Sequence, residues 1–246
     1  MMKHIILIHG AWASGWAWQD LSPYLSKADY QLHPISLIGS LEDDPEEFDV
    51  SLADYCQQVV KKIAELTGDI YLVAHSGGGL TATGVAEAIP ERIKSIAYVA
   101  GMMLPSGLRF DQLCQQLSAQ GHDVSGIGPY LQESTGGTRV PVEAALKIFL
   151  HDIDPDCALQ VSQRLVRQPN SARYSSNVWT EQGAGRIPRL YVEALQDRSV
   201  RPIAQKAMQA LVPATEVASL DCGHFPQLAM PQELAAILIS FFTRYP

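Results

Sequence analysis

Ile70-Tyr71-Leu72-Val73-Ala74-His75-Ser76-Gly77-Gly78-Gly79-Leu80 is the stretch on which the fold turns. A short apolar run of strand length leads straight into a serine, and three glycines lead out of it into the helical stretch Leu80–Ile89. A serine on so sharp a turn is held with its hydroxyl exposed at the C-terminal edge of a sheet. The residues two positions to either side must then be small, because strand and helix pack tightly there. Ala74 and Gly78 meet that need. The competing reading is a Gly-rich phosphate cradle at a helix N-terminus. Against it, no Lys follows the glycines, and the turn falls in the third strand–helix unit, not the first.

On either side of this turn, apolar runs alternate with amphipathic stretches. Ile5–Ile8, Gln31–Ile35, Ile70–Ala74, Ser95–Ala100, Arg189–Ala194 and Glu216–Leu220 read as strands, mostly apolar without alternation, as expected when a parallel strand is covered on both faces. Leu52, Cys56, Val59, Ile63 and Leu66 share one helical face, and Leu234, Leu238, Phe241 and Tyr245 share another. Pro202 and Pro231 stand where a first helical turn tolerates proline. The fold class is therefore α/β: a sheet of about six mostly parallel strands flanked by helices. From about Leu104 to Ile187 the alternation stops. No convincing strand appears there, only the helical patterns Phe110–Ala119, Val142–His151 and Cys157–Val166 between Gly- and Pro-rich loops. An insertion of that size reads as a cap, giving a core of residues 1–103 and 188–246 and a helical cap of residues 104–187.

Composition narrows the function classes. The 246 residues carry 18 basic and 26 acidic side chains, net −8, which disfavours nucleic acid and anionic membrane as partners. Cys56, Cys114, Cys157 and Cys222 lie far apart without metal-ligand spacing, so no metal and no cofactor is expected. The apolar run after Met1-Met2-Lys3-His4 is too short for a signal peptide, and the expected location is cytoplasmic. The acidic stretch Glu42-Asp43-Asp44-Pro45-Glu46-Glu47 lacks the Gly and ligand spacing of a calcium loop and reads as a solvated loop.

A serine hydroxyl needs a base, and the base works best when a carboxylate orients it. Of the seven histidines, His224 alone sits just past the last core strand, in Asp221-Cys222-Gly223-His224-Phe225-Pro226. His9 borders the same edge in the first strand's turn, where a loop-bonding role is expected; His75 should point away from the side of Ser76. Three carboxylates compete for the third place. Asp197 lies on the loop after Arg189–Ala194, Glu193 lies inside that strand, and Asp221 is too close to His224 in sequence to approach it from the side, so Asp197 is expected. Acyl transfer also needs donors for the developing oxyanion. Gly77, after the serine, supplies one amide, and Ala11 in His9-Gly10-Ala11-Trp12 supplies the other. Trp12, Met102, Met103 and Leu104 are expected to wall an apolar pocket.

The order Ser76, Asp197, His224 along the chain is that of the α/β-hydrolase architecture. His9-Gly10-Ala11-Trp12 with Gly15-Trp16-Ala17-Trp18, Ala74-His75-Ser76-Gly77-Gly78, and Gly223-His224-Phe225 before Pro231-Gln232-Glu233-Leu234 resemble that superfamily. Within it they resemble the branch of plant methyl esterases and hydroxynitrile lyases with their bacterial relatives. The resemblance spans nearly the whole chain. It implies Ser76 as nucleophile, His224 as base, Asp197 as acid and the amides of Ala11 and Gly77 as oxyanion hole. The chain departs from the pattern at Ala74, at Gly77 where a bulkier residue is usual, and at Gly223 where plant members have Asp. Such a branch holds esterases, lyases, lactonases and catalytically idle receptors. The expected activity is hydrolysis of small or medium apolar esters, with a small-molecule ester as partner and at most a second copy of the chain. A cyanohydrin-type lyase and a slow-turnover receptor are the alternatives. The resemblance implies that plant lyases have a hydroxyl residue after the first histidine and a lysine after the catalytic one. Those places hold Gly10 and Phe225.

Overall fold

A computed structural model describes residues 2–40 and 50–246. The acidic stretch Glu42–Glu47 lies outside the described residues. The strands are β1 (Lys3–Ile8), β2 (Tyr30–Ile35), β3 (Asp69–His75), β4 (Ile93–Val99), the short β5 (Gln132–Ser134), β6 (Gly137–Arg139) and β7 (Gln168–Pro169), then β8 (Arg189–Ala194) and β9 (Glu216–Leu220). Six of them form one parallel sheet in the order β2-β1-β3-β4-β8-β9. All six strand predictions fall within it. The order reverses at β1, so the loops after β1 and β3 flank the switch point where open parallel sheets bind ligands.

Pleating explains why these strands are apolar at every position. In β1, Ile6 and Ile8 face one core cluster with Leu52, Val59 and Ile63 of the helix Leu52–Ala64, while Ile5 and Leu7 face another with Leu234, Leu238 and Phe241 of the helix Pro231–Arg244. Complete burial of each such side chain contributes roughly 1.5–3 kcal/mol against leaving it in water. The helix Leu52–Ala64 starts at Ser51, whose hydroxyl accepts from the Asp54 N–H at 3.3 Å while the Asp54 carboxylate accepts from the Ser51 N–H at 2.9 Å.

Residues 103–187 depart from expectation in three places. β5, β6 and β7 form a small antiparallel sheet where no strand was expected. These strands are two or three residues long, polar, and turned by Gly136 at a φ of 64°, so they carry no apolar run to read. The pattern Val142–His151 becomes a helical turn, Val142–Ala144, followed by a wider π turn, Ala145–Phe149. Met103 and Leu104, expected as pocket walls, are 1% and 5% exposed and belong to the core cluster beneath the sheet's flanking helices. Phe110–Ala119 is a helix over the predicted span.

Candidate active site

Ser76 follows β3 with a φ of 50°, a left-handed conformation that a residue with a Cβ rarely adopts. Two long-range backbone bonds hold it there: its N–H donates to the Val99 carbonyl at 3.1 Å, and its own carbonyl accepts from the Met102 N–H at 2.8 Å. The helix Gly78–Ala88 begins at once. A Cβ on Gly78 would stand 2.5 Å from the His9 carbonyl oxygen, and one on Gly10 would stand 2.7 Å from the Ser76 Cβ. The loop after β1 can therefore pass directly against the serine only because both positions are glycine.

That loop is fixed from behind. His9 donates through Nδ1 to the Gly10 carbonyl (2.8 Å) and accepts through Nε2 from the Leu37 N–H (3.0 Å), and burial pulls its pKa down to about 4. The expected loop-bonding role is the one observed. A Cβ on Gly77 would lie 3.7 Å from the Ala11 nitrogen, so the two amides expected as an oxyanion hole are neighbours. Among the described residues neither of these N–H groups donates a hydrogen bond.

His224 and Asp197 come together from the loops after β9 and β8. Nδ1 of His224 lies 2.8 Å from Oδ2 of Asp197, with side chains 4% and 0% exposed. Since Nδ1–H faces the carboxylate, Nε2 carries the lone pair. The other carboxylate oxygen accepts from the N–H groups of Ser199 (2.7 Å) and Val200 (3.0 Å), which fixes the carboxylate in place. The competing acids are committed elsewhere. Asp221 accepts from Gln196 Nε2 at 2.8 Å, and Glu193 from Gln209 and Ser219, with the Lys206 ammonium beside it.

Three contacts around His224 had no signal in the sequence. His75 donates from Nε2 to the His224 carbonyl at 2.7 Å; burial, then the neighbouring His224, holds its imidazole well below the ordinary histidine range. Phe149, at the end of the π turn, stacks on the His224 ring at 5.1 Å and 25°. π turns of this kind often mark functional sites. The Asp152 carboxylate accepts from the Gly223 N–H, and a Cβ at 223 would meet its Oδ1 at 2.4 Å. The departure from the plant pattern at Gly223 thus has a local cause: Asp152 already fills the space.

A cavity of about 230 Å³ opens on Ser76. Trp12 and Met102 line it as expected, joined by Leu80, Phe110, Ile127 and Arg173. Among the described residues no group of three or more His, Cys, Asp or Glu side chains could hold a metal ion, and no helix is long and apolar enough to cross a membrane.

The chain is 25% identical to Methylesterase 7 of Arabidopsis thaliana over 99% of its own length and 97% of that protein's. It is 26% identical to the Pyrethroid hydrolase of Sphingobium wenxiniae over 96% and 86% of the two chains. Among solved structures it superposes on a pyrethroid hydrolase from Sphingobium faniae with a TM-score of 0.82 at 26% identity, covering 98% and 97% of the two chains. The model of the alpha/beta hydrolase family matches residues 5–237. A strained serine at a parallel-sheet switch point, a buried His–Asp pair whose histidine carbonyl is bonded by His75, the serine's chain neighbour, and a family match over nearly the whole length lead to one assignment: the chain belongs to the alpha/beta hydrolase family, and its relatives there include methylesterases and a pyrethroid hydrolase.

Proposed function

We propose that the protein is a carboxylic ester hydrolase working through Ser76, His224 and Asp197, with residues 104–187 as the cap over the site. The observation that carries this reading is the left-handed Ser76 at the sheet edge together with the 2.8 Å His224–Asp197 pair, tied to it through His75, the serine's chain neighbour, which donates to the His224 carbonyl. Of the relatives named above, one is a methylesterase and another a pyrethroid hydrolase.

In the first half-reaction His224 Nε2 takes the Ser76 hydroxyl proton as Oγ attacks the ester carbonyl. Negative charge moves onto the carbonyl oxygen, where the Ala11 and Gly77 amides donate to it; such a donor is worth about 3 kcal/mol in the transition state. Collapse expels the alcohol, which leaves with the proton from His224. Water then attacks the acyl-enzyme by the same route, giving the acid and free Ser76. Asp197 holds the tautomer with Nε2 unprotonated and stabilises the imidazolium that forms transiently. The apolar majority of the cavity wall suits the body of a small or medium alkyl, methyl or aryl ester.

A cyanohydrin lyase needs a cation to stabilise departing cyanide, since an unpaired buried anion costs several kcal/mol. Position 225 holds a phenyl ring, 1% exposed and packed 4.7 Å from His75. Ester hydrolysis needs only the amides and water. A panel of p-nitrophenyl and methyl esters, run beside mandelonitrile, tests the assignment. Turnover of esters at higher kcat/KM than the cyanohydrin is expected. Faster cleavage of mandelonitrile than of every ester contradicts it, and stoichiometric binding without turnover identifies a receptor.

A further inference from the structure

Two charged side chains line the cavity among the described residues, Asp111 and Arg173, and they are not equivalent. Asp111 is already paired: Arg109 Nε and Nη2 donate to its two oxygens at 2.9 and 2.7 Å, and these bonds hold its pKa below the ordinary value. Arg173 has aromatic neighbours instead. Its guanidinium carbon lies 4.8 Å from the centre of the Tyr174 ring and 5.6 Å from that of Trp12. Among the described residues no carboxylate pairs with it and no hydrogen bond occupies its N–H groups. A guanidinium held against ring faces keeps its N–H edge for a planar acceptor, and a carboxylate is the acceptor that fits this edge in two-pronged fashion.

The position of Arg173 gives that free edge a purpose. Trp12, one of its two aromatic supports, directly follows Ala11, whose amide faces Gly77 across the serine turn. Gln168 in the same wall is committed to the scaffold: its Oε1 accepts from the Trp12 N–H at 3.4 Å and its Nε2 donates to the Tyr55 hydroxyl at 3.3 Å. With a net charge of −8 the molecule as a whole offers no general attraction for anions, so any preference for one must be local.

We propose that Arg173 is a specificity residue that pairs with a carboxylate of the substrate. The ester taken by this cavity then carries a free carboxylate remote from the bond that is cut, as in a half-ester of a dicarboxylic acid or an acyl ester of a hydroxy acid. The ester part of this statement rests on the hydrolase reading above; the carboxylate part rests on the cavity lining. The chemical steps are unchanged, because the carboxylate is an anchor and no proton or bond changes at Arg173.

Binding and turnover test the two parts separately. In the Ser76→Ala protein, calorimetry compares monomethyl adipate with dimethyl adipate, and para-acetoxybenzoate with its methyl ester. The first pair carries the carboxylate on the acyl side and the second on the alcohol side, so the pair that responds identifies the source. At least one charged ligand is expected to bind roughly tenfold to a hundredfold more tightly than its neutral partner, as for a charge-assisted pair. Adding Arg173→Gln should bring that ratio to about one, and Arg173→Lys should restore part of it. With Ser76 present, the ratio of kcat/KM between charged and neutral esters should follow the same pattern. Equal or weaker binding of both charged ligands overturns the proposal, as does a preference that survives Arg173→Gln in a folded protein. Arg173-dependent binding without turnover of any of the four esters upholds the anchor and overturns the hydrolase reading; turnover without selectivity does the reverse.

Discussion

The sheet edge and the segment 104–187 reach the same cavity by different means. At the edge, Ser76, His9 and Asp197 are each tied by hydrogen bonds to the backbone of neighbouring strand ends or loops, and the close approach of the loops needs glycine at 10 and 78, where a Cβ would clash. The segment 104–187 brings Phe110, Ile127 and Arg173 from helices and turns, and Trp12 and Phe149 are among the residues that join it to the edge. Trp12 donates from Nε1 to Thr138 at 3.1 Å, and its carbonyl accepts from the Val166 N–H at 2.9 Å. The contrast teaches a division of labour. On the function proposed above, the geometry that chemistry needs rests on strand ends, and the shape that would select a substrate rests on elements that can vary without disturbing it.

The largest expected effect follows from that division. Ser76→Ala should lower kcat by about 10⁴-fold or more with unchanged circular dichroism, because groups acting as a unit fail together. Phe110→Ala, from the other region, should act mainly on KM and on the choice among esters. Retention of over a tenth of the ester turnover by a folded Ser76→Ala protein would falsify the nucleophile assignment. A comparable kcat loss in Phe110→Ala would erase the contrast between the two regions.

Next in size is Asp197→Asn, which preserves shape but favours the wrong imidazole tautomer; a loss of order 10³–10⁴-fold in kcat is expected. Asp221→Asn removes an exposed partner of Gln196 and should stay within about threefold. The reverse ranking in steady-state assays would move the acid to Asp221.

His9 links the edge to stability. Its folded pKa of about 4 is below that of an exposed histidine, so the unfolded chain binds the proton first as pH falls. Stability is therefore full above about pH 6.5, declines from there towards pH 4, and the share due to His9 is on the order of 3 kcal/mol. Urea unfolding at pH 7 and pH 4.5 measures the decline, to which the buried His75 adds in the same direction, and His9→Gln should remove the His9 share of it. A wild-type protein equally stable at both values contradicts a neutral, buried His9.

The smallest effect sits at the seam. Phe149→Leu removes the ring that stacks on His224 and should lower kcat up to about tenfold with KM little changed, and Phe149→Tyr should restore it. A change confined to KM would make Phe149 a wall of the cavity and not a support of the base.

What was legible in the sequence follows the same line. Strand runs buried on both faces, such as Ile5–Ile8, and turn chemistry such as Ser76-Gly77-Gly78 leave local signatures, and the parallel sheet came from those. Asp197 was reachable because it stands on the loop after Arg189–Ala194, whereas Glu193 lies inside that strand and Asp221 lies too near His224 in sequence; the structure pairs Asp197 with His224. The rest depends on contacts between residues far apart in the chain. The β5–β6 turn is polar and short, Phe149 looks like one more apolar helix residue, and Asp152 meets Gly223 across 71 positions. Arg173 reads as an ordinary surface cation until Trp12 is folded against it. Met103 and Leu104 show the opposite error: they were expected in the wall of an apolar pocket, but the chain turns them into the core.

The central claim is that Ser76 is an activated nucleophile in an ester-hydrolysing site. Its most direct test is mass spectrometry of the protein after treatment with a serine-directed organophosphonate. One phosphonyl group per chain, on the peptide containing Ser76, with activity lost in proportion to labelling and unaffected by chelators, is the result predicted. Label on a cysteine, or a Ser76 that remains unmodified while ester hydrolysis continues, would contradict it.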